Sequence, residues 1–119
     1  LKKLRDICSK NNIELLFEPH VHSFLESSEH TLELIDSTDG MKIVLDYAHF
    51  ICLGWTQYQI DTLAEHAGHV HLRQAKPGFL QTKLEEGTIN FPAVLGKLNE
   101  GLNLWSGQGW FPTCKTSIY

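Results

Sequence analysis

The sequence predicts an α/β domain built on a parallel sheet, and three observations carry that expectation. Short runs rich in Val, Ile and Leu alternate with segments of helical periodicity, at the spacing of βαβ units. Gly, Pro, Asn and Asp punctuate the joints between them. Each strand-like run ends, or nearly ends, in side chains suited to acid–base or metal-ligand chemistry: Glu18 with His20, Asp46 with His49, and His71 with Arg73.

The elements follow in order along the chain. Leu1, Leu4, Ile7 and Cys8 form one apolar stripe at helical spacing, with Lys2, Lys3, Arg5 and Asp6 opposite, and Asn11-Asn12 closes that helix. Ile13-Glu14-Leu15-Leu16-Phe17 reads as a first strand, stopped at Glu18-Pro19. Ser27-Ser28 offers an N-cap to a helix over Glu29–Ser37, with Leu32, Leu34 and Ile35 facing inward. Asp39-Gly40 turns the chain into a second strand, Met41–Leu45, which ends at Asp46. Thr56 caps a helix through Ala67, with Ile60, Leu63 and Ala64 inside; Gly68 breaks it, and His69–Leu72 is a third strand. A loop opens at Lys76-Pro77-Gly78 and runs to about Gly87. Asn90 then caps a last helix, Phe91–Glu100, with Pro92 in its first turn, where a missing N–H costs little.

At 119 residues the chain suits one domain, and 42% hydrophobic with 20% charged residues places it among globular proteins. Ten Lys and Arg against 14 Asp and Glu give a formal charge of −4, which argues against a nucleic-acid partner held by cationic contacts to phosphate. Three cysteines, Cys8, Cys52 and Cys114, form no even disulfide set, so a reducing cytoplasm is the expected compartment. No uncharged stretch approaches the ~20 apolar residues that span a bilayer, and no membrane partner is expected. The chain starts within an element, at Leu1, and reads as a piece of something longer.

Parallel α/β folds bind ligands outside the carboxyl ends of their strands. Glu18, Asp46 and His71 would present two oxygens and one imidazole nitrogen there, a mixture suited to Mn²⁺, Mg²⁺, Co²⁺ or Zn²⁺. A purely structural reading has Glu18 and Asp46 capping the backbone that follows, and His71 satisfied within the core. His49, three residues past Asp46, either turns back to the same rim to meet a substrate oxygen or packs on Phe50. Arg73 either grips a phosphate or hydroxyl with its planar fork or pairs with a neighbouring acid. His20 and His22 alternate along an extended segment, so one of them faces the site. Gln74 and Gln81 are candidates to hydrogen-bond a polyol, and Trp55 and Phe79 to line a pocket or cover the mouth of the fold.

The segments Leu15-Leu16-Phe17-Glu18-Pro19-His20, Ile43–Phe50 and His69-Val70-His71-Leu72-Arg73 resemble successive strands of xylose isomerase-like barrels, the sugar phosphate isomerase/epimerase group that includes ketose 3-epimerases and inosose dehydratases. Gly87-Thr88-Ile89-Asn90-Phe91 resembles that family's lead into its last helix. The resemblance covers roughly residues 1–101 and implies strands five to seven of an eight-stranded (β/α)₈ TIM barrel, a C-terminal half-barrel; a complete barrel takes roughly 250 residues. It implies a divalent metal on Glu18, Asp46, His71 and a fourth carboxylate from the eighth strand. It also implies a metal-stabilised enediolate, formed when Glu18 removes the proton α to a sugar carbonyl, and a substrate contact from His49. His20 and Arg73 join it as candidate substrate contacts by their places at the same strand ends, although the family's substrate-binding Arg lies further past the His than Arg73 does.

Two departures stand against the pattern. Residues 102–119 contain no Asp or Glu, and their sequence fits neither a buried strand nor a helix. The first four strands are absent. A noncatalytic half-barrel that oligomerises or binds ligand is therefore the alternative reading. A DNA repair endonuclease of the sister family would need an Asp-x-His pair after His71, which the sequence lacks.

An open half-barrel leaves one apolar sheet face wet, at a cost of roughly 25 cal/mol per Å². The sequence thus predicts a homo-oligomer, most simply a dimer of half-barrels. Sedimentation across micromolar concentrations is expected to show association; a monodisperse, cooperatively unfolding monomer would mean that residues 102–119 cover the open face instead.

Overall fold

The computed structural model describes residues 1–102 and 115–118. Helix α1 spans Lys2–Lys10 and α2 spans Ser28–Ser37; β1, Ile43–Asp46, runs directly into α3, Tyr47–Cys52. Helix α4, Gln57–Ile60, continues as a 3₁₀ helix over Asp61–His66, followed by β2, Ala67–Leu72. A 3₁₀ turn at Leu84–Glu86 precedes α5, Phe91–Leu102, and β3, Lys115–Ile118. The three strands form one parallel sheet in the order β1-β2-β3, so the α/β class and the parallel sheet stand as read. Among the described residues no helix is long and apolar enough to cross a membrane.

The caps are where the sequence placed them. Ser27 accepts the His30 N–H at the start of α2, and Asn90 Oδ1 accepts the Ala93 N–H at the start of α5. Thr56 and Gln59 form a reciprocal capping box. Asp39 and Gly40 both take positive φ, 57° and 73°, at the turn into β1. The core gathers Ile35, Ile43, Leu45, Ile60, Leu63, Val70 and Val94 between the sheet and the helices, each almost fully buried.

Several boundaries differ from the sequence reading. The first strand shrinks to a single parallel bridge, Phe17 to Ile43, with the Val44 N–H on the Phe17 carbonyl at 2.9 Å. Asn12 turns there with φ 56°, Ile13 is 58% exposed, and among the described residues the segment's beginning joins no sheet. The helix expected from Thr56 to Ala67 is one α turn followed by 3₁₀, which still buries Ile60, Leu63 and Ala64. Gly68 belongs to β2 and breaks no helix. A Cβ on it would lie 2.8 Å from Leu16 Cδ2 and 3.1 Å from Lys42 Cβ, so close strand packing is what requires glycine there. Within the stretch expected to be neither strand nor helix, Lys115–Ile118 pairs with His69–Leu72 as a parallel strand. The apolar stripe of α1 stays in solvent, with Leu1 and Ile7 each 58% exposed.

Gln74, considered for substrate contact, is buried and spent on the backbone. Its Oε1 accepts the Ile89 and Ala75 N–H groups, and its Nε2 donates to the Ile89 carbonyl at 3.0 Å. These bonds tie the loop after β2 to the approach of α5. Trp55 packs against the core, and Phe79 is exposed beneath the Lys76 ammonium. Gly87 passes so close to Gln74 that a Cβ would fall 2.1 Å from Gln74 Cγ. Gly87→Ala should therefore lose about 2 kcal/mol or more of stability in urea unfolding. Gly96→Ala, with nothing within 4 Å of the added methyl, should instead gain up to about 1 kcal/mol from helix propensity.

Candidate metal centre

Pairing in β1 and β2 sets Val44 beside His69, Leu45 beside Val70 and Asp46 beside His71. The bridge from Phe17 to Ile43 brings Glu18 to the same edge of the sheet. One ligand atom from each of Glu18, Asp46 and His71 lies within 4.8 Å of the other two. His71 Nδ1 is 3.1 Å from Glu18 Oε1 and 4.0 Å from Asp46 Oδ2. An ion with bonds of about 2.0–2.3 Å holds neighbouring ligands about 3 Å apart and opposite ones a little over 4 Å apart, so these spacings fit one coordination sphere.

Asp46 serves two structures at once. Its Oδ1 accepts the Ala48 N–H at 2.9 Å and so caps α3, a helix the sequence analysis does not place. Its Oδ2 is buried and accepts no hydrogen bond among the described residues. That oxygen lies 2.8 Å from the Arg73 guanidinium and so already faces a cation, as a buried carboxylate oxygen must. Burial pushes the Asp46 carboxyl up, while Arg73, the Ala48 N–H and His71 pull it down. Glu18 is the reachable member, its side chain 32% exposed against 1% for Asp46. Two oxygens and an imidazole nitrogen form a donor set for divalent Mn, Mg, Co or Zn, and the geometry fits such an ion.

The candidate substrate contacts fall around this group. His49, on α3, is buried and turned back toward it, with Nε2 3.8 Å from both Glu18 Oε1 and Asp46 Oδ2. Its Nδ1 faces the Val21 N–H at 3.3 Å. The His20 ring lies on the His49 ring, centroids 3.9 Å apart. His22 bends away with φ 65°, its N–H bonded to the Glu26 carboxylate. Arg73 meets an acid, its Nη2 2.8 Å from Asp46 Oδ2. The short helix behind Asp46 was the element missed, although Asp46-Tyr47-Ala48 carries the cap signal that would have announced it.

Ligand-type side chains gathered at the carboxyl ends of adjacent parallel strands define a parallel α/β protein with a site at that edge of its sheet. The chain belongs to the xylose isomerase-like TIM barrel family, whose model matches residues 1–111. Comparison with the curated proteins gives no match.

Burial, more than the electrostatic influence of His20, Arg73 and His71 beside it, pushes His49 down to about 4 from its ordinary 6.5. The folded ring is neutral at pH 7. Its contribution to stability is complete above pH 6.5 and is lost as pH falls toward 4, because the unfolded chain takes up a proton that the folded chain refuses. Asp46, shifted upward, opposes this loss at the acid end of the window. In metal-free buffer, urea unfolding should lose up to about 3 kcal/mol across that range, and His49→Gln should flatten the slope.

Proposed function

We propose that this chain carries the metal-binding rim of a sugar or sugar-phosphate isomerase/epimerase, with Glu18, Asp46 and His71 as ligands of one divalent ion and Glu18 also as the base. The convergence of these three side chains at neighbouring strand ends is the observation that supports it. When bound, such an ion acts as a Lewis acid toward a carbonyl and its adjacent hydroxyl. Glu18, the most exposed of the three, is placed to take the proton α to that carbonyl. Neutral His49 faces the Val21 N–H with Nδ1 and turns Nε2 toward the rim and Arg73; with Nδ1 as the acceptor and Arg73 displaced, Nε2 would carry the proton and donate to a substrate oxygen. His20 braces that ring and, with Arg73, borders the substrate.

A noncatalytic, ligand-binding half-barrel is the second reading. It is favoured by the absence of any Asp or Glu in residues 102–119, where a second acid–base carboxylate would be sought. The sequence offers a DNA repair reading neither an Asp-x-His pair after His71 nor a basic surface charge. Exchange of a ketose's α-proton with solvent deuterium separates the two main readings. The isomerase reading expects exchange that requires added Mn²⁺ and falls about 10²–10⁴-fold in Glu18→Gln. Mn²⁺ binding without any exchange would establish the noncatalytic one.

A further inference from the structure

Arg73 brings a full positive charge into the centre, where Asp46 pairs with the charge but the N–H groups are poorly satisfied. The residue follows β2 directly, and its guanidinium turns inward so that Nη2 lies 2.8 Å from Asp46 Oδ2 and 2.8 Å from His49 Nε2. The Asp46 contact is a close ion pair that helps to pull the carboxyl down, but its alignment is poor, and Oδ2 accepts no well-formed hydrogen bond among the described residues. Arg73 Nε is buried and also has no acceptor there. The third conflict is at His49. A neutral imidazole has one acceptor nitrogen, yet Nδ1 faces the Val21 N–H at 3.3 Å while Nε2 faces Arg73. With Val21 as the donor to Nδ1, two N–H groups confront each other at Nε2.

We infer that Arg73 is the resident counter-cation of the ion-free centre and becomes an anion-recognition group once the centre is loaded. This rests on the metal reading above. A divalent ion held by Glu18, Asp46 and His71 takes over the neutralisation of Asp46 Oδ2, relieving the buried oxygen. The guanidinium, released from Asp46 and from the donor conflict at His49, offers its planar fork to an oxyanion at the rim, of which the phosphate of a sugar phosphate is the fitting kind. Arg73 is already 17% exposed, so it reaches the rim without unfolding β2. Ion and oxyanion are then coupled. Each promotes the binding of the other, by the same factor in both directions.

Mn²⁺ affinity of the 119-residue chain, measured by the electron paramagnetic resonance of free Mn²⁺ with and without sodium sulfate at constant ionic strength, tests this. Arg73→Gln should bind Mn²⁺ about tenfold more tightly than the wild type, because the competing cation is gone. Sulfate should tighten Mn²⁺ binding several-fold in the wild type and leave Arg73→Gln unchanged. Equal or weaker Mn²⁺ binding by a folded Arg73→Gln, or a sulfate effect of equal size in both proteins, would overturn the inference. The wild-type sulfate comparison needs no variant: normal Mn²⁺ binding that ignores sulfate would overturn the role of Arg73 alone. No Mn²⁺ binding by either folded protein would overturn the metal centre and this inference with it.

Discussion

The parallel register between β1 and β2 is the constraint on which the centre depends. Side chains of a strand alternate faces, so a slip of one residue would send Asp46 and His71 to opposite sides of the sheet. Two features hold the register. A bulge between Ile43 and Val44 absorbs the mismatch at the strand's start, and the buried Ile43, Leu45 and Val70 permit no exchange of faces. The Phe17 bridge adds Glu18 to the same edge with very little sheet. Two side chains of the cluster are thus placed by strand pairing and the third by one bridge.

Around that frame, charge is managed by pairing. Burying the Asp46 carboxylate is expensive unless its oxygens are met. One oxygen is met by the first turn of α3, and the other lies against a cation, Arg73, at contact distance. His49 answers burial differently, by remaining neutral. The result is a compact group in which a carboxylate, an uncharged imidazole and a guanidinium sit within a few ångströms, with Glu18 and His71 completing the rim.

Much of this was legible in the residues. The alternation of apolar runs and helical stripes announced the α/β class, and the residue types at the strand ends announced Glu18, Asp46 and His71. Ser27, Thr56 and Asn90 announced their helices through caps, which are local signals. What escaped was non-local. Nothing near Ile13 says that it pairs with no strand among the described residues, and nothing near Gly68 says that Leu16 and Lys42 will lie over it. Gln74 looked like a rim side chain because its partners, Ile89 and Leu84, are remote in sequence. The pairing of Lys115–Ile118 with β2 is likewise a contact of the fold, unannounced by hydrophobic pattern. The role of residues 103–114, including any eighth-strand ligand, lies outside the described residues.

The direct joint between β1 and α3 has an evolutionary corollary. Asp46 is both the last residue of the strand and the cap of the helix, so no residue between them can absorb an insertion. One added residue would rotate α3 by about 100° and carry His49 off the rim. A change of chain length is better tolerated elsewhere, for example in the stretch from Lys76 to Glu86. That stretch is anchored at its base by Gln74 and largely exposed beyond it, so it can change length while Asp46 and His49 keep their places.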